Sequence, residues 1–508
     1  MVVMCLNFFQ KQYNLMLRLL KISLLSICLV TASINGIAEE TLIQGNAFSY
    51  KGKTIEVRQY LDFFTFKSSV LEKMEIQSDG SFKFKFNVEK TGLFLIKIGR
   101  INAHLFIEPG NQYTMVFDEP EGEESYNLAK DIFVLPDIFE SEGKLNKHIT
   151  NIEKTLNQFL IDNSKYYGRG VSQQIIPKAD SVVILLNELY ADNRNEYLKT
   201  HLHFRLAAFE LQTNHGKKKV YDRYFKNHEP AYDHLSFSTA FGFFFEEYLT
   251  FLNPASEYRF QSTADSAIAN SDYNLLYTCM EVDPFLEKRT FRELLIASEL
   301  YEIGTEQKTN LKNVLALLDS LVMNAQDDAC RLIAANAEQL LTKFSPGALA
   351  ADFEFADALG NTYRMSEYKG RFVYIQFFDK FTPETLKEMS LMKILKEGYG
   401  TDIAMFSIST SEKPAKLKAF TNKYDFNWIF GTAQSPEQVL VNYDLRALPA
   451  YFYLDKDLKF IKVPSPPPGS RIEKLFAKTW NEEHPNKPLL FKLQPPEVTE
   501  EPSLPHDN

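Results

Sequence analysis

Two nearly uninterrupted apolar runs, Phe372 to Phe378 and Ile403 to Ser409, flank a helical stretch from Glu384 to Glu397. A strand with one face in water alternates apolar and polar residues, whereas a run apolar at almost every position needs cover on both faces. Parallel neighbours also need a long crossover, and the intervening helix supplies one. These residues therefore demand a partly parallel sheet with helices packed on its faces. Asp352-Phe353-Glu354-Phe355, the Gly360-Asn361 turn and Tyr363-Arg364-Met365 add a hairpin ahead of it, so that this α/β region runs over 344–480.

The chain has 508 residues, more than one hydrophobic core usually supports, and other periods occupy the rest. Over 39–120, Phe82, Phe84 and Phe86 alternate with polar residues after the Ser78-Asp79-Gly80 turn. Thr54 to Tyr60, Leu93 to Ile98 and, after Glu108-Pro109-Gly110-Asn111, Tyr113 to Phe117 read as further strands. Short strands at this spacing predict a small antiparallel β-sandwich. Over 121–343 the period becomes helical. Thr290 with Glu293 reads as a capping box, Phe291, Leu294 and Leu295 begin an apolar face, and Gly304 stands where that helix would stop. No fixed-length repeat is present, which predicts an irregular helical domain, with Phe241 to Phe245 as a core segment. Residues 481–508, rich in Pro and Glu, predict a disordered tail.

Arg18 and Lys21 precede an apolar stretch from Ile22 to Ala32, and Gly36-Ile37-Ala38 offers a small-x-small cleavage pattern. This predicts a signal peptide over 1–38 and an exported protein of the periplasm or cell envelope. The apolar stretch is about a dozen residues against the roughly twenty that span a bilayer, so no permanent transmembrane span is expected. Cys5 and Cys28 would leave with the signal peptide. Cys279 and Cys330 lie on apolar helical stripes and read as small buried hydrophobes, although a disulfide between them is chemically allowed after export.

The net charge of −10 comes without any dense Lys/Arg block, which argues against a nucleic-acid partner. His201 and His203, two residues apart, project from different faces of a helix, and His215, His228 and His234 lack ligand spacing, so no metal is expected. There is no Gly-rich phosphate loop, nucleophile elbow or metalloprotease helix, and no cofactor is expected.

Ala351-Asp352-Phe353, Lys369-Gly370-Arg371 and Leu448-Pro449, with the strand Tyr451 to Asp455 behind it, follow one another in a familiar order. On these motifs most of Gly347 to Trp480 resembles the thioredoxin-like domain of the TlpA and AhpC/TSA group, although Ala351 replaces a proline. The Asp-Gly-x-Phe and Glu-Pro-Gly-Asn turns make the first region resemble the N-terminal β-domain, of unknown function, found in exported Bacteroidota proteins. The resemblance implies a thioredoxin fold, thiol-disulfide oxidoreductase activity, a cis peptide at Pro449 and a Cys-x-x-Cys at 382 to 385. Here Thr382-Pro383-Glu384-Thr385 stands instead. A peroxiredoxin-type alignment of Phe381-Thr382-Pro383-Glu384-Thr385 places Thr385 on the peroxidatic cysteine and leaves no thiol either. Gln376 stands where thioredoxin itself has a buried acid.

A thiolate is the nucleophile of disulfide exchange, and a hydroxyl would need a nearby general base. No histidine lies between His234 and His484. Local physics gives the segment another role: Thr382 as N-cap, Pro383 at N1 and Glu384 facing the helix dipole. Catalytic residues are therefore read as none, with Thr382 and Thr385 as degenerate redox positions. Phe381, Thr382, Leu448 and Pro449 are candidates for a groove that accepts an extended segment by strand addition. The reading is a redox-inactive thioredoxin-like protein with a binding or scaffolding role toward an unidentified envelope protein or peptide. Two alternatives stand beside it: a TlpA-type oxidoreductase acting through Cys279, Cys330 or a partner, and a glycan- or peptide-recognition protein working through its β and helical regions.

Overall fold

The computed structural model describes residues 40–117, 131–164, 175–246, 248–249, 260–305, 311–399 and 402–483. The expected signal peptide, with Cys5 and Cys28, and residues 484–508 of the expected tail lie outside the described residues; residues 481–483 close a helix, Ile472–Glu483. The architecture is multidomain: an N-terminal β region, an irregular helical region and a C-terminal mixed α/β region.

Among the described residues, nine strands build the first region: β1 (Glu40–Asn46), β2 (Thr54–Tyr60), β3 (Ser68–Glu75), β4 (Ser81–Asn87), β5 (Gly92–Ile98), β6 (Ile101–Ile107), β7 (Gln112–Val116), β8 (Ile132–Phe133) and β9 (Asp137–Glu140). They form two sheets, ordered β4-β1-β7-β9 and β3-β2-β5-β6-β8. Alternate residues such as Ile43, Val57, Phe84, Ile96 and Met115 fill the space between them. The sandwich is mixed rather than antiparallel, because β1 with β7 and β6 with β8 are parallel pairs. Both β7 and β8 reach their partners by crossing from the opposite sheet, so no hairpin fixes their direction. The backbones of β1 and β7 approach so closely that a Cβ on Gly45 would lie 1.9 Å from the Met115 carbonyl oxygen. Sequence periodicity placed 132–140 in the helical region; β8 and β9 are too short to show a period of two.

His104 on β6 sits against Tyr60, whose hydroxyl lies 3.0 Å from Nε2, and against the Phe133 ring. Burial pushes its pKa from 6.5 down to about 4. Burial, partly offset by Asp233, does the same to His234, which is stacked on Tyr197. The unfolded chain then binds protons at these sites between about pH 6.5 and 4 while the native chain does not, so stability is lost as pH falls through that window. Denaturant midpoints measured from pH 7 to 4 should fall, and His104→Gln should flatten the slope.

In the helical region, Phe204, Phe237, Phe241, Phe244 and Phe291 form an aromatic core, with Phe243 turned outward. The Thr290–Glu293 capping box does not form. The helix starts at Arg289, and the fully buried Glu293 carboxylate accepts from the backbone N–H groups of Gln326 and Asp327 and from the Arg289 guanidinium. Long-range donors outcompeted the local one. Gly304 lies in the last turn of that helix, where a Cβ would meet the Leu341 side chain at 2.6 Å.

The third region is one seven-stranded sheet of β10 (Glu354–Asp357), β11 (Thr362–Arg364), β12 (Phe372–Phe378), β13 (Ile403–Ser409), β14 (Ile429–Ala433), β15 (Ala450–Leu454) and β16 (Phe460–Lys462). Its order is β11-β10-β14-β13-β12-β15-β16, with β12, β13 and β14 parallel and β15 antiparallel to β12. All seven residues of β12 are buried, as the sequence pattern required. Val373, Ile375 and Phe377 pack on one face with Val439 and Leu440. Phe372, Tyr374 and Phe378 pack on the other, with Leu386, Met389, Met392 and Phe476.

The sandwich touches both other regions. Phe64 packs edge-on to Phe237 and Phe241, and Asn336 donates to Asp62 at 2.7 Å. Toward the third region, Arg100 in the β5–β6 turn donates to the carbonyls of Leu440 and Leu445, at 3.3 and 2.7 Å. Lys53 pairs with Glu437 at 3.0 Å.

Candidate functional site

The C-terminal end of β12 leads directly into the segment with the thioredoxin-like motif positions. Ser409 at the end of β13 and Ser411 just past it donate to the Asp379 carbonyl at 2.8 and 2.9 Å and tether the loop. The helix Pro383–Tyr399 then begins with proline in its first turn and Thr382 ahead of it. Thr382 Oγ1 accepts from the Thr385 N–H at 3.2 Å, and the two threonine hydroxyls lie 3.1 Å apart. The Leu386 N–H closes the first helical bond on the Thr382 carbonyl at 2.9 Å. Thr382 is exposed and Thr385 is buried, so the pair caps the helix with one hydroxyl in solvent and one in the core. Thr382→Ala should lower the stability of this region by about 0.5 to 2 kcal/mol, read as a shifted unfolding midpoint.

Antiparallel pairing puts Ala450 opposite Phe377, so Leu448 and Pro449 stand beside the same end of β12 as the threonine cap. The Leu448–Pro449 peptide is cis. The four groove candidates nevertheless divide between layers. Phe381 stacks on Phe420, with ring centroids 3.5 Å apart, and packs with one core, whereas Leu448 packs against the core on the other face of the sheet. Pro449 is half-buried.

Beneath the helix lies a buried polar chain that sequence reasoning touched only at Gln376. Trp428 Nε1 donates to Ser407 Oγ at 2.9 Å, and Ser407 donates to Gln376 Oε1 at 2.8 Å. Gln376 Nε2 donates in turn to the Tyr451 hydroxyl at 2.8 Å, which donates to Glu388 Oε2 at 2.5 Å. Gln376 and Ser407 have no exposed surface. The amide thus answers a donor on one side and an acceptor on the other without carrying charge. Burial, reinforced by Glu388, holds the Tyr451 hydroxyl far above its ordinary pKa, so it stays a donor. These partners converge from three strands, a helix and the residue just before β14, and no local motif marks them.

Cys279 and Cys330 are both free thiols in the helical region. Cys330 is fully buried, 3.4 Å from the Tyr232 hydroxyl, and burial raises its pKa far above the thiol range. Cys279 is only half-buried, against the expectation of a core position, and burial still pushes its pKa up to about 11. His201 and His203 point apart, toward Glu153 and toward the Tyr224 carbonyl.

A parallel central sheet, a helix springing from its middle strand and a cis-proline beside that helix's start define a thioredoxin-like domain. Residues 346–462 match the AhpC/TSA family. Over 117 residues the chain is 25% identical to the thiol-disulfide oxidoreductase ResA of Geobacillus kaustophilus, a span of 23% of this chain and 67% of that protein. The ResA protein of Bacillus thuringiensis is 26% identical over 121 residues, 24% of this chain and 69% of its own length. Among solved structures, the thioredoxin domain of a thiol-disulfide oxidoreductase from Bacteroides vulgatus is similar at 20% identity over 23% of this chain and 86% of that one, with a TM-score of 0.22. The exposed lipoprotein thioredoxin Etrx1 of Streptococcus pneumoniae is similar at 25% identity over 26% and 99%, with a TM-score of 0.22. The C-terminal domain is thus related to thiol-disulfide oxidoreductases. Among the described residues no helix is long and apolar enough to cross a membrane.

Proposed function

We propose that this is an exported envelope protein whose thioredoxin-like domain binds a protein or peptide segment and performs no thiol chemistry. The observation that carries the reading is the hydroxyl pair Thr382–Thr385, engaged with itself and with the helix start. The half-buried Leu448 and Pro449 border the same strand end and would offer backbone groups to an added strand. The full chain should not reduce insulin in the presence of dithiothreitol above the uncatalysed rate. Turnover that disappears on substituting residues of this domain would sink the proposal.

The names of the similar ResA proteins favour a second reading, an oxidoreductase using Cys279 or Cys330. Both thiols have pKa values shifted away from reactivity, the reverse of what exchange requires. Thiol labelling of the native chain at pH 7.5 discriminates: Cys330 should react only on unfolding and Cys279 slowly, whereas rapid modification of either would favour the enzyme. For the third reading, a crevice of about 410 Å³ between the sandwich and the helical region is lined by Lys90, Asn195, Tyr197, Thr200, Asp233 and His234. Its mixed charges suit a small polar ligand such as a glycan unit, and retention of the full chain on immobilised glycans, lost in Asp233→Ala, would favour it over the first.

A further inference from the structure

Asp180, Glu210 and His215 come from three places in the sequence: the helix Ile175–Leu189, the helix Glu196–Gln212 and the turn that follows it. Their ligand-type atoms all lie within 4.8 Å of one another. Glu210 is fully buried. Its Oε1 accepts from the Tyr224 hydroxyl at 3.0 Å and from the Arg223 guanidinium, while Oε2 has no hydrogen-bond partner among the described residues. A buried carboxylate oxygen left without a donor is costly unless something positive meets it.

His215 is oriented for that purpose. Its Nδ1 lies 3.1 Å from the Glu210 carbonyl and 3.1 Å from Thr213 Oγ1, and the threonine hydroxyl already donates to the Phe209 carbonyl at 2.8 Å. Both neighbours of Nδ1 are therefore acceptors, which places the proton on Nδ1. A ring N–H held by a backbone carbonyl is the arrangement that fixes the tautomer of a metal-binding histidine. With that proton on Nδ1, Nε2 faces Asp180 Oδ1 at 3.2 Å, nitrogen ligand toward oxygen ligand. Either a second proton or a cation must lie between them.

We propose that Asp180, Glu210 and His215 form a site for a divalent transition-metal ion that takes nitrogen and oxygen ligands, with zinc as its representative. The site has a route to solvent, since the Asp180 side chain is 39% exposed. Two cations flank it: Lys219, 3.5 Å from Asp180, and Arg223 on Glu210. Both side chains are a little under half exposed, so each can swing into water as a metal ion takes up the carboxylate it neutralised. The sequence concealed the site because the ligands are 30 and 5 residues apart, outside any short motif, and only the fold brings one helix to the end of the next.

Full-length protein, stripped with a chelator and dialysed, is titrated calorimetrically with zinc chloride. The expected result is one equivalent bound, with affinity reduced about 100-fold or more in Asp180→Asn and in His215→Ala. Cobalt(II) should give a visible ligand-field spectrum in the wild type that Asp180→Asn abolishes, and zinc should raise the unfolding temperature of the wild type alone. Asp180 is partly exposed, so its variant keeps the test valid if His215→Ala fails to fold. Zinc bound equally by wild type and Asp180→Asn, or not bound at all, overturns the proposal and leaves His215 and Asp180 as an ordinary ion pair.

Discussion

A chain carrying Thr382→Cys and Thr385→Cys should close an intrachain disulfide in air and acquire insulin-reductase activity that the parent lacks. The geometry sets this expectation. The two hydroxyl oxygens already lie 3.1 Å apart, so sulfur atoms attached to the same Cβ atoms need only small rotations to reach bonding distance. Residue 382 is exposed at a helix start, where unpaired N–H groups stabilise a thiolate and lower its pKa, while residue 385 is buried as a resolving thiol would be. Free-thiol counts before and after dithiothreitol measure closure, and Cys279 and Cys330 supply an internal reference. A double variant that stays reduced under oxidant while remaining folded would show that the helix start does not occupy the dithiol position. A variant that closes but reduces nothing would show that a dithiol at this helix start is not sufficient for exchange in this chain.

Phe377→Ala should cost about 3 to 5 kcal/mol and remove the native fold of the C-terminal region well below the parent's unfolding temperature. Phe377 has no exposed surface, and its ring lies 4.9 Å from Tyr443, 5.5 Å from Phe353 and 5.8 Å from Phe452. These neighbours come from a helix end, the segment before β10 and β15, so no single element can shift inward to fill the space. Phe377 is also the residue paired with Ala450, and a collapse there would move the cis-proline loop away from the threonine cap. Scanning calorimetry of the full chain should show one transition shifted strongly and the transitions of the other regions shifted less. A shift below about 1 kcal/mol would mean that this core relaxes far more than its packing suggests.

The central strand and the threonine cap were legible in the sequence because each depends on neighbours within a few residues. A seven-residue strand apolar at every position but Gln376 requires two covered faces, and Thr-Pro-Glu favours a helix start by its local chemistry. The two parallel pairs of the sandwich were not legible, since direction is set by which sheet the chain has just left. The capping role given to Glu293 failed for a similar reason: a buried carboxylate took backbone donors more than thirty residues away in preference to the N–H beside it. The chain from Trp428 through Gln376 to Glu388 shows the same limit, for each member is an ordinary core or helix residue until the sheet order is known. Long-range polar pairing leaves no period.

The contact made by Arg100 bears on how the proposed groove should be assayed. Its guanidinium holds the carbonyl of Leu440, in the last turn of the helix Pro436–Asn442, and that of Leu445, three residues before Leu448. An excised C-terminal fragment would keep its strands, its cap and the Leu445 N–H bond to the Leu440 carbonyl at 2.9 Å, but would lose both guanidinium bonds and leave the Arg446-Ala447-Leu448 segment without its outside brace. Ligands that select a tethered loop would then be missed, and ligands that tolerate a loose one would be over-represented. The sandwich thus splints the far side of the proposed groove, and a test of that groove calls for the whole chain.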